Sequence, residues 1–361
     1  MPAALTSVVL AGGGTAGHVS PLLAAADALR RRHPDCQIAV LGSQGGLEED
    51  LVPARGYDLT VIPKVAFPRR PDLAAARFPG AFRSAVARTR RLLDDAGAQV
   101  VVGFGGHVST PAYLAARARH TPFVLHEQNA RAGLANKLGA RLTPYVATTF
   151  SVTSLPHAQV IGLPLRPEIT GLDRAAERAA AREFWGLDAD RPTVLVTGGS
   201  LGAQRLNETM QAAQPALAAA GVQVLHLTGR GKEFEPAQTG VPYVVRPYAE
   251  RMDLAYAAAD LAVTRAGAGM VCETGAVGLP AVFVPLPIGN GEQRLNAQDA
   301  VDAGAAVIVD NADFTPAWVE RELLPLVTSP QRLAAMAAAS SGQGHAGAAD
   351  ALVDLIERAA H

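Results

Sequence analysis

Two stretches far apart in the chain are built alike: Val8-Val-Leu-Ala-Gly-Gly-Gly-Thr-Ala-Gly-His18 and Val194-Leu-Val-Thr-Gly-Gly-Ser-Leu-Gly-Ala203. Each is a short apolar run that stops in a glycine turn and enters a helix. No other feature restricts the fold so strongly, because strand, glycine turn and helix in that order open a doubly wound α/β domain, and here the opening occurs twice. The alternation continues in each half. The runs Ser7 to Ala11, Gln37 to Gly42, Leu59 to Pro63, Gln99 to Phe104 and Pro122 to Gln128 are nearly all apolar, as are Thr193 to Thr197, Val222 to Thr228, Tyr243 to Pro247, Leu261 to Thr264, Ala281 to Pro285 and Ala306 to Asp310. Strands buried on both faces of a parallel sheet read this way. The predicted class is α/β, with two tandem doubly wound Rossmann-like domains. Their glycine turns, facing each other, would form a cleft.

The proline-bracketed segment Gly162-Leu-Pro-Leu-Arg-Pro167 separates the halves. It places a first domain at 1–162, a linker at 163–167 and a second domain at 168–341, with a C-terminal helix over about 342–361. That last amphipathic stretch, centred on Ala346 to Ala360, could pack on either domain. A length of 361 residues fits two domains of roughly 100–200 residues each. With Lys plus Arg at 32 against 33 Asp plus Glu, the net charge of -1 lacks the global field of a dedicated nucleic-acid binder. Cys36 and Cys272 are far apart without metal or redox spacing, which suits a reducing cytosol. No apolar run approaches the roughly 20 residues of a spanning helix, and the first ten residues lack a basic leader region, so a soluble or membrane-surface protein is expected.

Glycine turns ahead of helices leave N–H groups and partial positive charge facing outward, a seat for phosphate or substrate. Gly12, Gly14 and Gly17 match G-x-G-x-x-G, but a dinucleotide site wants an acid ending the second strand. That strand runs instead into Gly42-Ser43-Gln44, with Asp35 at its wrong end, so a nicotinamide oxidoreductase is the weaker reading. His18 closes the turn. A lone histidine is usually structural or solvated, but at the positive end of a helix it would stay neutral and able to accept a proton. Gly103-Phe-Gly-Gly-His-Val-Ser-Thr-Pro111 is a second glycine-dense turn, and His126-Glu-Gln-Asn129 ends a strand with four polar residues. Such groups are costly to bury unless they meet a ligand or one another.

In the second half, Thr264-Arg-Ala-Gly-Ala-Gly-Met-Val-Cys-Glu-Thr-Gly275 places Glu273 about one turn into a helix. There it could accept hydrogen bonds from two ribose hydroxyls while the turn holds a diphosphate; a solvated helix acid is the competing reading. Gln293 and Asn296 could read sugar hydroxyls or form a surface helix face. Asp188-Ala-Asp190 precedes a strand, at the opposite edge from the glycine turns, so no metal site is assigned. Between Lys64 and Arg91 lie Lys64, Arg69, Arg70, Arg77, Arg83, Arg88, Arg90 and Arg91 against Asp72 alone, interleaved with Phe67, Phe78 and Phe82. The segment could dock on anionic lipid, with an RNA patch or a solvated helix as competitors.

Together, Gly13 to His18, Gly103 to Pro111, His126 to Asn129, Gly198 to Ala203, Arg265 to Ala268 with Glu273, and Gln293 with Asn296-Ala297 resemble the MurG family of bacterial N-acetylglucosaminyltransferases, in order along nearly the whole chain. The resemblance implies a GT-B fold whose final helix returns to the first domain. It implies inverting transfer of GlcNAc from UDP-GlcNAc to the MurNAc 4-hydroxyl of undecaprenyl-pyrophosphoryl MurNAc-pentapeptide (lipid I), giving lipid II for peptidoglycan synthesis, with no cofactor or essential metal. It further implies that His18 is the base and that Thr15, Ala16, Gly17, Asn129, Arg166, Ser200, Ala249, Ala268, Gly269, Met270, Val271, Cys272, Glu273 and Gln293 serve the donor. Gly105, Gly106, His107, Ser109, Glu127 and Asn296 would line the acceptor side. Lys64, Phe67, Arg69, Arg70, Arg77, Phe78, Phe82 and Arg83 would meet the cytoplasmic face of the cell membrane, where other cell-wall synthesis proteins are possible partners. Ala16, His107, Ala266 and Leu163 depart from the residues usual in that family, and a noncatalytic nucleotide-sugar-binding protein, which would keep Glu273 and Gln293 but not need His18, is the alternative reading.

Overall fold

The structure, a computed structural model, describes residues 5–65, 73–199, 203–287, 290–340 and 347–361. The chain divides into two compact units, Met1–Arg166 with His345–His361, and Pro167–Gly344. The cut falls at the far end of the segment assigned to a linker, and packing is the reason. Leu163 and Leu165 are buried, and the Gly162 carbonyl accepts a hydrogen bond from His126, so residues 163–166 are part of the first unit.

Among the described residues the first unit holds a seven-stranded sheet of β1 (Ser7–Ala11), β2 (Gln37–Ser43), β3 (Asp58–Ile62), β4 (Val100–Gly103), β5 (Phe123–Glu127), β6 (Val146–Thr148) and β7 (Ala158–Val160). Their order is β3-β2-β1-β4-β5-β6-β7, all parallel. The second unit holds β8 (Thr193–Thr197), β9 (Gln223–Leu227), β10 (Tyr243–Arg246), β11 (Leu261–Thr264), β12 (Ala281–Phe283) and β13 (Ala306–Ile308), parallel in the order β10-β9-β8-β11-β12-β13. Every run expected to be a strand is one, with ends differing by at most two residues. β6 and β7 were not anticipated: each has three residues in a stretch where Thr, Pro, His or Gln interrupts the apolar run, and β7 is exposed throughout.

Side chains of a strand alternate between faces, and β1 shows how both faces are filled. Val8 and Leu10 join a core with Leu22 and Leu29 of the helix Ala16–Arg32 and with Leu352, Val353, Leu355 and Ile356 of the helix Ala348–Ala360. Val9 and Ala11 face Ala85 and Leu93 of the helix Leu73–Asp95 and Ala112 and Tyr113 of the helix Ser109–Ala118. The helix Ala348–Ala360 thus completes the first unit although residues 167–344 intervene. Its polar side carries Asp350, Asp354 and Glu357 against Arg31, Arg32 and His33, including Arg31–Asp350 at 3.0 Å and His33–Glu357 at 2.7 Å.

In each sheet the strand order reverses once, between β1 and β4 and between β8 and β11. Doubly wound sheets bind ligands beyond the carboxyl ends of the strands at such a reversal. The glycine turns singled out in the sequence are the segments that follow these four strands.

Candidate active site

In the first unit, two glycine turns meet beside one imidazole. His18 lies in the first turn of the helix Ala16–Arg32, and its Nδ1 is 3.1 Å from the Gly13 carbonyl oxygen and 3.2 Å from Thr15 Oγ1. A carbonyl only accepts, so Nδ1 carries the hydrogen and Nε2 is the basic nitrogen. The turn after β4 packs on that nitrogen's side: a Cβ on Gly105 would lie 3.1 Å from His18 Nε2, and one on Gly106 would lie 2.7 Å from the Gly13 carbonyl oxygen. Both glycines have positive φ, 88° and 82°, which also favours glycine there.

Burial pushes the His18 imidazole below the ordinary histidine value, against the Gly13 carbonyl and Glu48, which raise it; His107 adds to the lowering. The ring is thus kept neutral chiefly by loss of water rather than by the helix terminus invoked from sequence. His107 is itself lowered by desolvation and by Lys64.

The polar residues after β4 and β5 are largely spent on one another. Ser109 is fully buried and its hydroxyl donates to the carbonyls of Gly105 at 2.7 Å and Ala11 at 3.3 Å, so it braces the turn. Glu127, 3% exposed, accepts from the Asn129 and Gly133 N–H groups at 2.9 and 3.0 Å and from Asn136 Nδ2 at 3.0 Å. Burial nevertheless raises its carboxyl above the usual range, outweighing those donors. His126 Nε2 donates to the Gly162 carbonyl at 2.8 Å, and Tyr113 donates to Asn136 Oδ1 at 2.7 Å. This network fixes the 128–136 loop and leaves Asn129 half-buried at its rim, while Arg166 is half-buried at the end of the unit. Asn136 and Tyr113 were not singled out in the sequence, since an Asn in a helix and a Tyr among alanines carry no motif.

In the second unit, Gly199 has φ 80° and its N–H donates to Thr197 Oγ1 at 3.3 Å. Ser200 lies outside the described residues. The helix Ala268–Ala276 starts after Gly267, and its first-turn N–H groups have no intrahelical acceptor. Val271 and Cys272 are buried, so the helix can meet a ligand there only through its backbone. Half-buried Glu273 is held by Tyr256, whose hydroxyl donates to Glu273 Oε2 at 2.6 Å. Nothing in the pattern around Tyr256 pointed to it.

Gln293 Oε1 accepts from the Leu286 N–H at 2.9 Å, which turns its carbonyl inward to the 284–287 loop. Asn296, grouped from sequence with the acceptor side, lies fully buried in the second unit and donates to the Ala266 carbonyl at 3.2 Å. It supports the turn after β11. Ala249 is 2% exposed, leaving its backbone for any contact.

The aromatic part of the proposed membrane face is shared with the core. Phe78 and Phe82 stack at 5.4 Å, one helical turn apart, and pack half-buried against the core of the first unit, so only part of each ring is left on the surface. Lys64, Arg77 and Arg83 are exposed, whereas Phe67, Arg69 and Arg70 lie outside the described residues. Among the described residues no helix is long and apolar enough to cross a membrane, and no group of three or more His, Cys, Asp or Glu could hold a metal ion.

Sequence comparison matches residues 8–148 to the glycosyltransferase family 28 N-terminal domain and residues 193–352 to the family 28 C-terminal domain. A protein of a Nocardioides species is 58% identical over 92% of this chain and 93% of its own length, and one from Leifsonia xyli is 55% identical over 98% of each. Both bear the name UDP-N-acetylglucosamine--N-acetylmuramyl-(pentapeptide) pyrophosphoryl-undecaprenol N-acetylglucosamine transferase. The crystal structure of MurG from Acinetobacter baumannii superposes with a TM-score of 0.79 at 31% identity, covering 98% of this chain and 99% of that one. A UDP-GlcNAc 2-epimerase from Neisseria meningitidis bound to UDP-GlcNAc shares the fold alone, at 14% identity and a TM-score of 0.67, over 98% of this chain and 100% of that one.

Proposed function

The chain belongs to glycosyltransferase family 28, among the MurG-type N-acetylglucosaminyltransferases, and from that premise we propose how its residues divide the work. It is a GT-B enzyme that transfers GlcNAc from UDP-GlcNAc to lipid I, making lipid II for peptidoglycan synthesis. The reading of the chemistry rests on one observation: the His18 ring has Nδ1 tied to the Gly13 carbonyl, which leaves Nε2 as its basic atom at the strand-order reversal.

In the proposed step, His18 Nε2 takes the proton of the acceptor 4-hydroxyl as that oxygen bonds to C1 of GlcNAc. The bond from C1 to the diphosphate oxygen breaks, its electron pair leaves with UDP, and the configuration at C1 inverts. The departing diphosphate is stabilised by the N-terminus of the helix Ala268–Ala276, which supplies partial positive charge, and Ser200 is assigned to the same group from the sequence. Glu273, oriented by Tyr256, accepts from the ribose hydroxyls, and the Ala249 backbone faces the uracil. Gln293 offers its amide to GlcNAc hydroxyls, with Thr15, Gly17, Asn129 and Arg166 as further donor contacts. Gly105, Gly106 and His107 border the acceptor, and Glu127 and Ser109 act by holding the loops that do so. Incubation with UDP-GlcNAc and a lipid I analogue should yield the GlcNAc-MurNAc disaccharide and UDP in equal amounts; UDP released without disaccharide would refute transfer.

We also propose that the enzyme works as a peripheral protein on the cytoplasmic face of the membrane, drawn to anionic lipid by Lys64, Arg77 and Arg83. A basic side chain near such a surface contributes about 1 kcal/mol, roughly fivefold in binding, and the attraction decays over a Debye length of about 8 Å at physiological salt. Flotation with anionic vesicles should therefore weaken as salt rises and weaken again in Arg77→Gln/Arg83→Gln. Turnover on a water-soluble acceptor should persist. Flotation indifferent to both changes would assign these arginines to a solvated helix face.

A further inference from the structure

A fully buried carboxylate stands behind the first glycine turn, and the transfer step as described does not use it. Glu48, at the start of the helix Glu48–Ala54, is 0% exposed. Its Oε2 accepts from the Gly14 N–H at 2.8 Å, and its Oε1 accepts from the Ser43 N–H at 2.7 Å and the Ser43 hydroxyl at 2.9 Å. Three glycines make room for it: a Cβ on Gly13 or Gly46 would collide with the carboxylate, and one on Gly42 would lie 2.5 Å from Glu48 Cγ. Burial pushes this carboxyl up, but the hydrogen bonds from Gly14, from Ser43 and from its own N–H outweigh burial and hold it below the usual carboxylate range. The group is an anion at neutral pH, enclosed by backbone that any larger residue would displace.

The Gly14 N–H that Glu48 receives and the Gly13 carbonyl that receives His18 Nδ1 belong to one peptide unit. Carboxylate, peptide and imidazole therefore form a single hydrogen-bonded chain. Each bond in such a chain polarises the next, so an anion on the N–H end makes the carbonyl end a stronger acceptor. We propose that Glu48 is the positioning residue of His18, holding the Gly13–Gly14 peptide so that Nδ1 stays the donor and Nε2 faces the acceptor hydroxyl as the proton-taking atom. The inference rests on the reading of His18 as the base.

When Nε2 takes the proton, the imidazolium that forms is stabilised through the same peptide. The charged and titratable groups that act on His18 are Glu48, which favours its cation, and His107 from the turn after β4, which opposes it; Lys64 in turn opposes the cation of His107. Glu48 is the carboxylate of this set, so its removal has a defined sign. With the anion gone, His18 should bind its proton less readily.

The test uses the full chain with isotope-labelled histidine, with the His18 signal identified by its loss in His18→Ala. In Glu48→Gln the His18 titration midpoint should fall, the Nε2–H tautomer should gain population, and the acidic limb of the kcat profile should move to lower pH. At the pH optimum kcat should drop about tenfold or more, short of the 10²–10⁴ that a base contributes, with UDP affinity unchanged. Glu48→Asp keeps the charge but withdraws it from Gly14 by one methylene, so its midpoint should lie nearer that of the parent while its tautomer population still shifts. It decides the question alone if Glu48→Gln does not fold. A merely structural Glu48 would lower the unfolding midpoint and leave the His18 tautomer and the acidic limb in place in every folded variant, which would overturn the proposal. If the parent's acidic limb does not coincide with the His18 midpoint, the base assignment fails separately, and the tautomer and midpoint still judge Glu48.

Discussion

His18→Ala is expected to lower kcat by about 10² to 10⁴-fold, the range a positioned general base contributes, with little change in UDP-GlcNAc affinity because the lost group acts on the acceptor hydroxyl. The pH profile carries the sharper expectation. Burial holds His18 below the ordinary histidine value, so the parent enzyme should keep its rate down through pH 6.5 and lose it only as the imidazole takes a proton at lower pH. Steady-state rates measured from acid to neutral pH should show that limb in the parent and its disappearance from the residual rate of the mutant. A mutant that retains turnover, or one that keeps the limb, would remove His18 from the role.

Loss of Glu273 is expected to act on the other substrate. Hydrogen bonds to a charged group contribute about 1.5–3 kcal/mol, so Glu273→Ala should weaken UDP binding roughly 10- to 150-fold by calorimetry and leave acceptor binding alone. The structure adds a control that separates ribose recognition from folding. Tyr256 is fully buried and donates to Glu273, and alanine would strip that hydroxyl of this acceptor, whereas Glu273→Gln keeps one oxygen for it while removing the charge and exchanging the other oxygen for an NH2 donor. Glu273→Gln should therefore retain the parent's unfolding midpoint and still bind UDP more weakly. Normal UDP affinity in both variants would leave Glu273 only the role of acceptor for Tyr256.

The strands of the sheet centres were legible because parallel strands buried on both faces leave unbroken apolar runs. Three of the turns that follow them, at Gly14, at Gly105-Gly106 and at Gly199, were legible because their positive φ angles favour glycine. β6 and β7 were not, since Thr143, Pro144, Pro156, His157 and Gln159 interrupt the apolar runs there, whereas the equally short β12 and β13 keep theirs. Glu48 escaped for a different reason. An acid was sought where the second strand ends, at Gly42-Ser43-Gln44, but the carboxylate that reaches the turn comes from the following helix, folding back over Gly42 and Gly46. The clue was the spacing of small residues that a buried side chain requires, and a motif read as phosphate geometry conceals it. Ser109 and Asn296 show the converse error: polar residues beside a site look like ligand contacts in sequence, yet both spend side-chain hydrogens on turn carbonyls. Phe78 and Phe82 were read as a lipid face from composition, which says nothing about how a helix is rotated, and the structure divides both rings between core and surface.

The helix Ala348–Ala360 has a consequence for the order in which the molecule is made. A ribosome delivers residues 1–166 first, but the core formed by Val8 and Leu10 of β1 with Leu22 of the helix Ala16–Arg32 is closed by Leu352, Val353, Leu355 and Ile356, which are synthesised after everything in Pro167–Gly344. The usual order, in which the amino-terminal domain is complete before the next begins, is therefore reversed here. The second unit has all its parts while the first still waits with an uncovered apolar face, and the acidic side of the arriving helix meets Arg31, Arg32 and His33 already in place to align it. The half of the enzyme that carries His18 is begun first and finished last.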